Sequence, residues 1–164
     1  MTLKKSQLRE MMYAVENARR KMMKPYFVKL GLTVGQGQPR ALYHLYHHEP
    51  MTQRELADAC YLDAATMSRT LDRLTQAGLL RREAKPGCRR SYHIVLTQEG
   101  REKAKEVIEG FRVMDEAICK DLSPKELEHI LAVLSQIEEN LEQAEQMMRA
   151  MGKEKEQSDS GSNE

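Results

Sequence analysis

A mainly α-helical fold carrying one small β-hairpin, an α+β class, is what this 164-residue sequence predicts. Three observations lead there. Apolar residues recur at spacings of three and four near both ends, helix-start signatures of the form Ser/Thr-x-x-Glu stand at Thr52 and Ser123, and the period turns extended between Leu79 and Thr97. Composition agrees: 40% apolar and 31% charged residues suit a packed globular core, while 5% aromatic residues and no Trp argue against a large β-sandwich.

Each element has its own warrant. Leu8, Met11, Val15, Ala18 and Met22 share one helical stripe, so a long amphipathic helix is expected from about Lys4 to Leu30, with Pro25 as a kink point. The run GLTVGQGQP ends it, and Leu42, Leu45 and Tyr46 place a second helix before Glu49-Pro50. Thr52 with Glu55 forms a capping box for a short third helix ending near Cys60, with Leu56, Ala57 and Cys60 inward. Asp63 caps a fourth, along which Met67, Leu71 and Leu74 face the core and Gly78 supplies the stop. Then LLRREAKPGCRRSYHIVLT reads as two extended runs about Lys85-Pro86-Gly87, a hairpin with a basic tip.

After Thr97 a long helix returns, with Ala104, Val107, Ile108, Phe111, Met114, Ile118 and Leu122 apolar. Ser123-Pro124-Lys125-Glu126 is a second capping box, with Pro at the first helical position, and starts a new helix. Leu127, Ile130, Leu134, Ile137, Leu141, Ala144 and Met148 alternate along that helix at spacings of three and four, the pattern of a helix-pairing seam. The chain thus divides into a helical dimerisation region at 1–34 and 98–151, a winged helix-turn-helix lobe at 35–97, and a tail at 152–164 expected to be disordered because it has nothing to bury.

Charge points to a polyanion. The net charge is +1, but residues 1–35 carry +6, residues 51–96 carry +3 and residues 97–164 carry −8. Arg81, Arg82, Lys85, Arg89 and Arg90 face only Glu83 on the short segment 79–92. With Met67, Leu71 and Leu74 buried, Ala65, Thr66, Arg69 and Arg73 fall on the opposite face of the fourth helix, beside Ser68. That is the layout of a DNA-reading helix: Ala65 or Thr66 suits a thymine methyl, Arg69 a guanine fork, and Arg73 a phosphate. Thr52 and Gln53, at a helix N-terminus, suit backbone phosphate, and Lys85, Arg89 and Arg90 suit an adjacent minor groove.

The chain resembles the MarR family of bacterial transcriptional regulators over nearly its whole length. The stretches that carry the likeness are TQRELADAC, the helix DAATMSRTLDRLTQAGLLRR, and the wing with its exit RRSYHIVLTQEG, framed by long helices. The resemblance implies a homodimer intertwined through its terminal helices, bound to double-stranded DNA at an inverted-repeat operator, usually as a repressor. It also implies a small-molecule effector held between dimerisation helices and DNA-binding lobe. By position, the family's wing arginine falls on Arg90 and its DNA-reading helix on Asp63 to Ala77. Cys88 stands where the family usually places an Asp that supports that arginine. The family's peroxide sensors use a cysteine in the first helix, and the first helix here has none.

Other residues admit competing readings. Met23, Tyr26, Phe27, Tyr43 and His44 are ligand-lining candidates and equally good core residues. Cys88, among Lys85, Arg89 and Arg90, is a redox candidate; a passive thiol is the plain alternative. His44 and His48, with His47 and Glu49 alongside, raise a zinc-sensing alternative, but four ligands are not evident and no metal is assigned. A winged helix that binds acidic proteins rather than DNA is the remaining alternative. No glycine-rich phosphate loop, GxSxG or paired acids indicate an enzyme or a cofactor. Cys60, Cys88 and Cys119 suggest no disulfide framework, and with neither a signal peptide nor a spanning segment the expectation is a cytoplasmic protein without membrane attachment.

Overall fold

The structure, a computed structural model, describes residues 5–33, 35, 37–84 and 92–160, with backbone alone from 149 onward. Six helices and three strands follow in the order α1 (Lys5–Lys29), α2 (Gln38–His48), β1 (Met51–Thr52), α3 (Gln53–Cys60), α4 (Ala64–Gln76), β2 (Leu80–Ala84), β3 (Tyr92–Leu96), α5 (Gln98–Cys119) and α6 (Pro124–Ser160). They fall into two compact units, the first ending at Ile118 and the second beginning at Cys119.

In the first unit the predicted starts and stops are present. The Thr52 hydroxyl accepts the Glu55 N–H at 3.2 Å, while the Glu55 carboxylate accepts the Thr52 N–H at 2.7 Å. Asp63 accepts the Thr66 N–H at 2.8 Å and so satisfies an orphan donor at the start of α4. Gly78 takes the left-handed conformation (φ 73°) after α4, letting the Leu79 N–H reach back to the Leu74 carbonyl at 3.0 Å. α1 continues through Pro25, although that residue lacks the N–H a helix interior would use.

Hairpin strands β2 and β3 pair antiparallel from Leu80 opposite Leu96 to Ala84 opposite Tyr92. The two-residue β1, too short for a periodicity to announce, pairs with the other edge of β3 at Met51 opposite Ile94, giving sheet order β1-β3-β2. Glu49 ties this edge down, accepting the Leu96 N–H at 2.7 Å and pairing with Arg101 of α5. Leu42, Leu45, Leu56, Met67, Leu71, Leu74, Ile94 and Val107 are wholly buried, so the core lies among α2, α3, α4, the sheet and the start of α5. Burying side chains of this size stabilises the fold by about 1.5–3 kcal/mol each.

The second unit is essentially one helix. The Ser123–Glu126 capping box starts it, with the Ser123 N–H donated to Glu126 at 2.8 Å. Its backbone is helical to Ser160. Lys153, Glu154, Lys155, Glu156 and Gln157 are strong helix formers and offset the one Gly. Residues 161–164 lie outside the described residues. The predicted seam is exposed: Leu134 is 49%, Leu141 60% and Met148 70% accessible.

Candidate nucleic-acid interface

α4 is held from one side only. Met67, Thr70, Leu71 and Leu74 are buried, and Thr70 returns its hydroxyl to the Thr66 carbonyl at 2.9 Å. The opposite face presents Ala65, Arg69 and Arg73 exposed, with Thr66 and Ser68 half-buried beside them. The first turn of that face is pre-ordered by a relay. Arg69 donates to the Thr66 hydroxyl at 3.1 Å, and that hydroxyl donates to Asp63 at 2.7 Å. These bonds from Thr66 hold the Asp63 carboxyl below its ordinary range, so it remains an ionised cap at neutral pH.

β2 is fastened to the same helix by an ion pair that sequence reasoning did not find, Arg82 to Asp72 at 2.8 Å. Asp72 thus joins the hairpin to the recognition face. The basic tip carrying Lys85, Cys88, Arg89 and Arg90 lies outside the described residues. Thr52 is committed to its capping box, donating its hydroxyl to Glu55 at 2.8 Å, while Gln53 occupies the first turn of α3, where amides have no acceptor inside the helix. Arg73, at the far end of the α4 face, also borders a hollow with Lys103, Gln38 and Leu79.

The five ligand-lining candidates separate. Met23 and Phe27 are buried in the core, and Met23 also lines a small cavity beside Tyr26. Tyr26 closes a small apolar cavity of about 150 Å³ with Met22, Gly110 and Val113, and its hydroxyl donates to the Glu106 carbonyl at 2.8 Å. Tyr43 and His44 line a larger cavity of about 470 Å³ among α1, α2 and α5, together with Arg19, Arg40, Phe111 and Asp115. The Tyr43 and Phe111 rings meet edge to face there, centroids 5.5 Å apart. Burial, then Arg40 and the neighbouring His48 and His47, pushes the His44 pKa down and keeps the ring neutral. Arg40 was not singled out from the sequence; an exposed arginine on a short helix sends no periodic signal.

Cys60 is buried and its thiol is pushed up to about 11 by desolvation, which makes it a poor nucleophile. Among the described residues no group of three His, Cys, Asp or Glu side chains could hold a metal ion, and the His48 ring lies beside those of His44 and His47. Among the same residues no helix is long and apolar enough to cross a membrane.

The chain is similar to known proteins in sequence and in fold. Residues 30–91 match the model of the MarR family. The organic hydroperoxide resistance transcriptional regulator of Bacillus subtilis is 34% identical over 105 residues, which cover 62% of this chain and 70% of that protein. The HTH-type transcriptional regulator PecS of Dickeya dadantii is 36% identical over 87 residues, 53% of this chain and 52% of its own. Among solved structures, a MarR family transcriptional regulator from Silicibacter pomeroyi superposes with a TM-score of 0.67 at 25% identity, over 79% of this chain and 86% of its own. The S. aureus MepR–DNA complex superposes with a TM-score of 0.73 over 85% of this chain and 99% of its own; at 23% identity it speaks to the fold.

Proposed function

The chain belongs to the MarR family of transcriptional regulators, and from that premise we propose that it is a homodimeric repressor that reads an inverted-repeat operator through α4 and is released by a small ligand. The observation that carries the reading is the α4 face. A helix packed on one side by Met67, Leu71 and Leu74 offers Ala65, Thr66, Ser68 and Arg69 on the other, next to a hairpin fixed to it by Arg82. Small residues at the first turn admit base edges, Arg69 forks to guanine, and the amides of Gln53 and its neighbours meet phosphate. Lys85, Arg89 and Arg90 extend the contact along the backbone. The regulator acts in the cytoplasm, where its operator is.

Dimerisation follows from surface that one chain leaves open. Leu8, Met11 and Val15 on α1, and Leu134, Leu141 and Met148 on α6, are exposed large apolar side chains at helical spacing. Helices of this length with such stripes find partners in water, and a second copy supplies the matching stripe. Two α4 helices related by the dimer axis then enter successive major grooves, with half-site centres about 10 base pairs apart.

The test is selection of a preferred duplex from a randomised pool, followed by affinity against salt. An inverted repeat should emerge, with a steep fall of log affinity against log salt. Arg69→Ala should lower affinity for that repeat by about 1–3 kcal/mol while leaving binding to random duplex nearly unchanged. Recovery of no preferred duplex would refute the reading and favour a protein-binding winged helix.

A further inference from the structure

Three helix ends in the first unit close with the same pair of reverse hydrogen bonds. After α1 the Leu32 N–H reaches the Phe27 carbonyl at 2.9 Å around Gly31; after α4 the Leu79 N–H reaches Leu74 at 3.0 Å around Gly78; after α3 the Leu62 N–H reaches Ala57 at 2.9 Å around Tyr61. The pivot is left-handed each time, with φ 75°, 73° and 53°. Glycine adopts that conformation freely, and a tyrosine does so under strain from its Cβ. Burial cannot compensate, because Tyr61 is 75% exposed.

What meets the Tyr61 ring is Arg40. Its guanidinium carbon lies 5.1 Å from the ring centroid, and Nη2 donates to the Ala59 carbonyl at 3.4 Å, so one side chain braces the turn at two points. The same arginine lines the cavity of about 470 Å³ beside Tyr43, His44 and Phe111. The cavity's other cation, Arg19, is occupied by Glu16 through two bonds of 2.8 Å. Among the described residues no carboxylate lies within ion-pair distance of Arg40. Its charge is available to an occupant of the cavity.

We propose that Arg40 couples that cavity to the DNA-reading helix. A small carboxylate with an apolar body, seated against Tyr43 and Phe111, draws the guanidinium off Tyr61 and Ala59. The strained turn loses its brace two residues before Asp63 caps α4, and the helix is no longer held at the angle the operator requires. This rests on the reading of α4 as the DNA-reading helix and of the cavity as the effector site.

Tyr61→Gly separates the possibilities, because glycine keeps the turn without needing a brace. With the selected duplex and benzoate as probe, the wild-type protein should lose about two- to fivefold in affinity per subunit, the worth of an exposed cation–π contact, and neutral benzamide should do nothing. Tyr61→Gly should bind the duplex as well as wild type and bind benzoate by calorimetry, yet show no loss when benzoate is added. Arg40→Gln should bind benzoate at least about tenfold more weakly, the loss of a charge-assisted bond. If benzoate weakens duplex binding by Tyr61→Gly as it does by wild type, or if Tyr61→Gly binds the duplex poorly by itself, the coupling is wrong. Failure of benzoate to bind wild type would overturn the carboxylate class. Failure of wild type to prefer any duplex would overturn the functional reading, and the coupling with it.

Discussion

Gly100, the last residue of the LTQEG stretch, stands in the first turn of α5, where helix propensity alone says that alanine is better by about 1 kcal/mol. The structure predicts the opposite sign. A Cβ there would lie 2.0 Å from the Leu79 carbonyl oxygen and 3.0 Å from its carbon, more than 1 Å inside an ordinary carbon–oxygen contact of about 3.3 Å. Leu79 cannot step aside easily. Its oxygen accepts the Thr97 N–H at 3.0 Å, while Thr97 donates its hydroxyl to Gly78 at 2.7 Å and accepts the Gly100 N–H at 3.0 Å. Overpacking against backbone costs about 3 kcal/mol, the upper part of the usual range, and loss of the Leu79–Thr97 bond adds about 1 kcal/mol. Less the propensity gain, Gly100→Ala should be destabilised by about 3 kcal/mol in urea unfolding, wild type and variant being compared at one protein concentration because a dimer's stability depends on it. Gly78→Ala is the control: its Cβ would meet open space, so only the left-handed φ is penalised, by about 1 kcal/mol. A Gly100→Ala protein as stable as wild type would refute the close approach of α5 to the start of β2.

Other consequences are open to measurement. Thr52→Ala removes the capping box of α3 and should cost about 1 kcal/mol, read as a lower urea midpoint with an unchanged slope. His44 has a folded pKa below its ordinary 6.5, so the unfolded chain binds its proton more readily. That contribution is complete above pH 6.5 and is lost as pH falls through the folded value. The unfolding midpoint should therefore drop between pH 7 and pH 5.5, and the drop should be smaller in His44→Gln. Cys60, its thiol pushed up to about 11 by burial, should resist alkylation at pH 8 in a Cys88→Ser, Cys119→Ser background until the protein unfolds; rapid labelling of the folded protein would contradict that burial.

The elements were legible in the sequence because their signals are local. The Thr52–Glu55 and Ser123–Glu126 boxes, the Asp63 cap and the Gly78 stop each involve residues within a single helical turn, and each is present in the structure. The face of α4 was legible for the same reason, since Met67, Leu71 and Leu74 fix which side is left for Ala65 and Arg69. What could not be read are contacts that join distant segments. Glu49 meets Leu96 across 47 residues, β1 exists only as an edge partner of β3, and Arg82 chooses Asp72 although Glu83 is its neighbour in sequence. Tyr61 is the instructive case. Sequence marks a helix end between Cys60 and Asp63, but the identity of the pivot is unremarkable until its φ is known, and only then does Arg40, 21 residues earlier, acquire a reason to lie over it. A brace of that kind leaves no period and no motif. It is visible only where a residue occupies a conformation its own chemistry disfavours, and that is where a ligand has the least to overcome in order to change the fold's state.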